Sequence, residues 1–275
     1  MTAVKFSCLP DSAEIDPRRV AEANHRLFET SAAFYDAQFT GRRAEADFYV
    51  AAAVGFGGPV VEVGCGTGQI LAPIVAAGIP ATGVDHSGAM LAAAWERCSG
   101  QVGLVHADLR RAPDTLPPVR QVLFTSGVLQ YALEDQAGVL SGYAARLTDG
   151  GRLLIDVKAF WDDPTYRTAL DMPITIPQQI YPHPDGSVTV ATTISIDRTR
   201  QVVTERVRHT VISPDRTLLE DAEYIHIMRS YNLPELLLIA ELAGLRVVEV
   251  RTRYSESAGS PEAVVGARYI LDIRP

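Results

Sequence analysis

The chain has 275 residues, 47% of them hydrophobic, which suffices for one large domain or a domain carrying an insertion. A formal net charge of -8, with Lys and Arg scattered along the chain, excludes a field that gathers nucleic acid or acidic membranes. Cys8, Cys65 and Cys98 have neither metal-ligand spacing nor an even count, residues 1–10 lack a signal-peptide core and no run reaches roughly 20 apolar residues, so a reducing, cytoplasmic location is expected.

Residues 17–55 read as helical, opening on Asp16-Pro17, a capping acid before a proline at the first helical position. They contain an aromatic cluster of Phe28, Phe34, Tyr35 and Phe39, and Gly57-Gly58-Pro59 ends the pattern. Strands are predicted at 59–63, 81–84, 102–106, 121–125 and 152–157, with helices at 69–77, 88–97 and 135–147, the rhythm of a parallel α/β sheet. Residues 159–186, rich in Pro, Asp and Tyr, read as a loop or lid. Alternating apolar residues at 188–196 and extended runs at 202–212 and 217–228, parted by turn residues, make an antiparallel meander inserted into the main sheet or laid beside it. A helix at 234–243 stops at Gly244, and strands at 246–254 and 263–273 close the chain as an antiparallel pair at one sheet edge.

The strongest chemical signal is Val60-Val61-Glu62-Val63-Gly64-Cys65-Gly66-Thr67-Gly68, a strand running straight into a turn with glycine at alternate positions. Such glycines permit positive φ and let a ligand lie on bare backbone. A dinucleotide fingerprint needs a third glycine where Gln69 stands. A carboxylate at the end of the first strand repels a pyrophosphate and attracts the ammonium and sulfonium of S-adenosylmethionine, so Glu62 favours the cationic ligand. An acid capping the following helix is the competing reading of that residue. Asp85, at the end of the second strand, suits the two ribose hydroxyls. Asp108, after the third, suits the adenine amine, with Leu109 flanking the ring.

Together, E-V-G-C-G-T-G, Asp85, H-A-D-L at 106–109, the segment 125–131 and L-T-D-G-G at 147–151 resemble the class I S-adenosylmethionine-dependent methyltransferases over residues 60–157. The resemblance implies an α/β fold with a Rossmann-like, seven-stranded, mostly parallel sheet, helices on both faces and an antiparallel last strand; the antiparallel β-meander is then an insertion. It implies S-adenosyl-L-methionine as cofactor, with Glu62, Gly64, Cys65, Gly66 and Gly68 at the methionine part and Asp85 with the adjoining His86 at the ribose. Asp108, Leu109 and Met90 fall to the adenine, and Thr125 and Ser126 to the floor beside the sulfonium. The expected division is a helical lid segment at 1–56, a cofactor-binding core at 57–158, a loop and β insertion over the acceptor site at 159–230, and a helix with edge strands at 231–275.

Methyl transfer from a sulfonium is an in-line displacement in which alignment supplies much of the rate. A general base is needed only when the acceptor holds its proton at neutral pH. Three residues are candidates on the acceptor side. Gln130 follows the fourth strand, where some amino-sugar N-methyltransferases carry a histidine; Tyr35 forms with Asp36 a pair that resembles the lid of relatives; His226 shares a strand face with Tyr224 and Met228. The histidines lack convergent spacing, so no metal is expected. The D/N/S-P-P-Y/F/W signature of amino-methylating nucleic-acid enzymes is missing. The expected function is methylation of a small molecule, by association with an Ala- and Arg-rich composition a secondary metabolite, and edge pairing of the meander offers a homodimer. The competing functions are an NAD(P)-dependent oxidoreductase and a non-catalytic S-adenosylmethionine-binding protein.

Overall fold

The computed structural model describes residues 17–169, 172–254 and 268–275. β1 (Val60–Val63) is buried along its whole length and lies between β2 (Ala81–Asp85) and β4 (Val119–Phe124), both parallel to it. β3 (Gly103–His106) extends the sheet beyond β2 and β5 (Leu147–Lys158) beyond β4, before β11 (Arg268–Arg274) and β10 (Arg246–Arg251) complete seven strands. β11 is antiparallel to both its neighbours, so the closing pair lies at the expected edge. From β1 the chain builds outward through β2 and β3, then returns to β4 on the other side. That reversal is a topological switch point, where open α/β sheets leave a crevice over the strand ends.

Helices α4 (Leu71–Ala76), α5 (Gly88–Arg97) and α6 (Gln136–Ala144) make the crossovers, and α8 (Leu233–Leu242) precedes β10. The two-residue strand period divides the side chains of β1 between two cores. Val61 and Val63 join Phe124, Leu140, Tyr143 and Leu236 on one side, while Val60 packs with Tyr49, Ala53, Ile70 and Ile74 on the other. Glu62 falls on Val60's side, a carboxyl group entering an apolar layer. Caps fix where the helices start: Ser87 accepts the Met90 N–H at 3.1 Å before α5, and Asn232 accepts the Glu235 N–H at 2.9 Å before α8.

The structure departs from the sequence pattern in three places. The helical stretch expected at 17–55 is divided into α1 (Pro17–Ser31), α2 (Tyr35–Gln38) and α3 (Arg43–Phe56). Phe34 is drawn into a cluster with Leu27, Val188 and Val207, and Gly41 turns the chain at φ +81. The helix expected at 135–147 ends at Ala144, because Leu147 already pairs with Val119 as the first residue of β5. The loop expected at 159–186 contains α7 (Pro164–Thr168) and β6 (Ile174–His183). Pro177 sits in a register irregularity between Ile176 and Gln179, which interrupts the alternation that betrays a strand.

The meander therefore has four strands, in the order β6, β7 (Gly186–Asp197), β8 (Val202–Ile212) and β9 (Leu218–Arg229), and forms a separate antiparallel sheet. Asn24 clamps α1 to β9: its amide donates to the Ile227 carbonyl at 3.0 Å and its oxygen accepts the Ile227 N–H at 2.9 Å. Cys8 and residues 263–267 of the last expected strand lie outside the described residues. Among the described residues no helix is long and apolar enough to cross a membrane.

Candidate functional site

Above the switch point lies a cavity lined from the glycine loop, the ends of β2 and β4 and the inner side of α1, the place where open α/β sheets bind ligands. β1 gives way to the glycine loop at Gly64 (φ +66) and Gly66 (φ +53). A Cβ at Gly64 would stand 2.2 Å from Val128 Cγ2, so the loop and the 3-10 turn Val128–Tyr131 pack only with glycine there. The Gly66 N–H donates to Asp85 Oδ2 at 2.8 Å and the Ser87 N–H to Oδ1 at 2.9 Å. Asp85 thereby ties the loop to the end of β2.

Of the expected donor-site residues, Gly64, Gly66, Asp85, Thr125 and Ser126 line this cavity, and so do His86, Met90, Asp108 and Leu109 on its adjoining wall. Cys65 and Gly68 do not. The Cys65 thiol is buried against Leu71, Leu91 and Cys98, and Gly68 lets the loop approach Ala94 of α5, where a Cβ would meet backbone at 3.2 Å. His86 lies with Nδ1 3.4 Å from Asp85 Oδ1 and its ring 5.2 Å from that of His25. Asp108 is gripped by Arg110, through the backbone N–H at 2.9 Å and the guanidinium at 2.6 and 3.0 Å. Burial alone would raise this carboxyl, but the Arg110 bonds hold it below its usual range.

Glu62 lies beneath the floor and is 1% exposed. Its Oε1 accepts the Thr125 hydroxyl at 2.9 Å, and its Oε2 is buried with no hydrogen-bond partner. Burial pushes the carboxyl up to about 8, against the lowering effects of Thr125 and Arg42. Burial thus favours the protonated acid over the expected carboxylate, and a cation beside it would favour the anion.

The lid side holds the expected Tyr35 and Asp36 and adds Arg42 and Glu45, which sequence reasoning missed. Tyr35 lines the cavity, and burial raises its phenol. Asp36 accepts the Thr67 hydroxyl at 2.6 Å and the Gln69 amide at 2.7 Å, and pairs with Arg97, fastening α2 to the glycine loop. Arg42 grips Glu45 at 2.8 and 3.0 Å and bonds the Ser126 hydroxyl, which itself donates to Glu45 Oε1 at 2.6 Å. Burial would raise Glu45, but Arg42 and Ser126 hold it below its ordinary value. Three residues apart, Arg42 and Glu45 carry no local mark of burial; only the fold shows Glu45 to be 7% exposed.

On the acceptor side, Tyr35 alone of the three expected residues reaches the cavity wall. Gln130 is wholly buried, donating to the carbonyls of Lys158 at 3.2 Å and Arg229 at 2.9 Å and accepting the Lys158 N–H at 2.8 Å. Its amide joins β5, β9 and the 3-10 turn, a structural place in contrast to the expected catalytic one. His226 stands behind Phe28 and Tyr131, with ring centroids 5.5 and 5.2 Å away, and those two rings do line the cavity.

Residues 61–153 match the family model of the methyltransferase domain. Over 116 residues the chain is 34% identical to trans-aconitate 2-methyltransferase of Azoarcus sp. (strain BH72), a stretch covering 42% of this chain and 44% of that enzyme, so less than half the length of this curated relative is spanned. An S-adenosylmethionine-dependent methyltransferase from Clostridium acetobutylicum shares the fold, with a TM-score of 0.67 at 13% identity over 90% of this chain and 97% of that one. A sugar N-methyltransferase from Streptoalloteichus sp. does so with a TM-score of 0.63 at 20% identity over 100% and 99% of the two chains.

Proposed function

Because residues 61–153 belong to the methyltransferase domain family, within a fold shared by S-adenosylmethionine-dependent methyltransferases, we propose that the protein methylates a small molecule at the expense of S-adenosylmethionine. The observation that carries this reading is the orphaned Oε2 of Glu62, a buried carboxyl oxygen near the end of β1 with no hydrogen-bond partner. The residues present fit the donor. Glu62 would hold its ammonium and Arg42 its carboxylate, Gly64 and Gly66 would lie along the methionine chain, Asp85 would accept from the ribose, and Asp108, Leu109 and Met90 would border the adenine. S-adenosylmethionine supplies an electrophilic methyl group with an activated leaving group.

The protein's own part is alignment and exclusion of water. Thr125 and Ser126 form the floor, and Tyr35, held through Asp36, closes the site from α2. Small-molecule acceptance is supported by the cavity's extension to Phe28, Val128 and Tyr131, and by the relative that acts on trans-aconitate. A second copy of the chain would pair along β6, an outer strand of the meander among the described residues, and size-exclusion chromatography reads that dimer directly.

Thermal melting in the presence of candidate ligands tests the donor. At about 100 times Kd, S-adenosylmethionine and S-adenosylhomocysteine are each expected to raise the midpoint by about 5 °C or more, and NAD not at all. An equal response to NAD would defeat the reading.

A further inference from the structure

β8 and β9 pair Glu205 directly with His226, so both side chains leave the same face of the meander. Glu205 Oε2 lies 2.9 Å from His226 Nδ1, and its Oε1 accepts the Tyr166 hydroxyl at 2.9 Å. Burial works against the charge on Glu205, yet the bond to His226 holds this carboxyl down to about 2. An ionised carboxylate can only accept, so Nδ1 carries the hydrogen in this pair. The opposite nitrogen, Nε2, is buried and has no hydrogen-bond partner, on a residue only 7% exposed. A buried polar atom in that state is costly unless something supplies a partner.

Phe28 and Tyr131 separate this imidazole from the cavity, and they meet each other edge to face at 5.5 Å. Phe28 is half-buried on α1, and a shift of its ring is the route by which an acceptor in the cavity would reach the imidazole. Among the described residues, an ammonium acceptor finds no idle carboxylate around this cavity apart from Glu62, which lies beneath the donor floor. Glu205 is engaged by His226 and Tyr166, Glu45 by Arg42, Asp108 by Arg110 and Asp85 by two backbone amides. A flat, uncharged ring carrying a hydroxyl suits both the aromatic walls and the idle nitrogen.

We propose that Glu205 positions His226 as the general base of the acceptor site, and that the acceptor is a phenol or enol. This rests on the methyl-transfer reading above. The hydroxyl proton passes to Nε2, an oxygen lone pair forms the new O–CH3 bond, and the S–CH3 bonding pair returns to sulfur. The charge lost from the sulfonium reappears as an imidazolium beside Glu205, which then releases its proton to solvent. The other titratable groups around this pair are Tyr166 of α7, Lys158 at the end of β5 and Tyr131; α1 presents the neutral Phe28.

Nitrogen-15 NMR of histidine-labelled protein tests the proposal, with S-adenosylhomocysteine bound and 4-nitrophenol as the probe. His226, assigned by the signal missing in His226→Asn, is expected as the Nδ1-protonated ring with a bare Nε2 in slightly alkaline solution. Below its own pKa, 4-nitrophenol bound to the wild type is expected to show about tenfold more phenolate absorption than the free dye. Glu205→Gln removes that gain and lets the other tautomer form. An Nε2-protonated ring or an imidazolium in the wild type would overturn the proposal, as would equal phenolate in His226→Asn; the wild-type spectrum decides even if a variant fails to fold. Calorimetry on the same samples separates the two levels. Normal S-adenosylhomocysteine binding with the wrong tautomer sinks this proposal alone, whereas no binding by the wild type sinks the donor reading and this proposal with it.

Discussion

The donor wall of the cavity is made from one short stretch of chain and the ends of neighbouring strands, whereas the acceptor wall is gathered from α1, the 3-10 turn and two strands of the meander. On the donor wall, the Gly64 N–H donates to the Val84 carbonyl at 2.7 Å and the Gly66 and Ser87 N–H groups donate to the Asp85 carboxylate, so main-chain amides set the geometry. Phe28 and Tyr131 meet each other and His226 only through side chains, and of this group only Glu205 and His226 are also paired by their strands. The first kind of wall requires particular residues at fixed spacing. The second can be remade by substitution without disturbing the sheet, which suits a site whose acceptor differs from one relative to another.

Substitutions on either wall sharpen that contrast. Asp85→Ala removes the proposed ribose acceptor and takes from the Gly66 and Ser87 amides the carboxylate they bond. Binding of S-adenosylmethionine is expected to weaken about 100-fold by calorimetry; an unchanged affinity would break the distinction between the walls. Gly64→Ala places a methyl group against Val128 at a backbone angle that alanine resists, and should cost about 2–3 kcal/mol in urea unfolding. Asn24→Ala cuts both bonds between α1 and Ile227 and should cost about 1–2 kcal/mol. Hydrogen exchange in α1 should quicken, while donor affinity stays within about twofold because the site lies on the other wall.

The same contrast explains what the sequence disclosed. Glu62, Gly64, Gly66 and Asp85 were legible because positive φ and a strand-end acid leave a local trace, and the parallel strands because each is a short apolar run. β6 escaped notice because Pro177 and a register irregularity break its alternation. Arg42 and Glu45 escaped because an ion pair on one helix looks the same whether or not the fold buries it. Gln130 was placed correctly after β4, but the direction of its amide depends on carbonyls at Lys158 and Arg229, far along the chain. Nor could the residue types reveal that the Glu62 carboxyl is pushed up, since that depends on how completely loop and strands exclude water.

Glu62 is where the donor reading is most exposed to test. With its carboxyl at about 8 in the empty protein and lower beside an ammonium, binding at neutral pH must release a proton. Donor affinity should therefore rise with pH and level off above about 8, while the empty protein, whose folded-state value exceeds the unfolded one, loses stability over the same rise. Calorimetric titration with S-adenosylmethionine in two buffers of different ionisation heat counts the protons. Release of about one per molecule bound, abolished in Glu62→Gln, is the predicted result; no release from the wild type, or undiminished release from the variant, would contradict it.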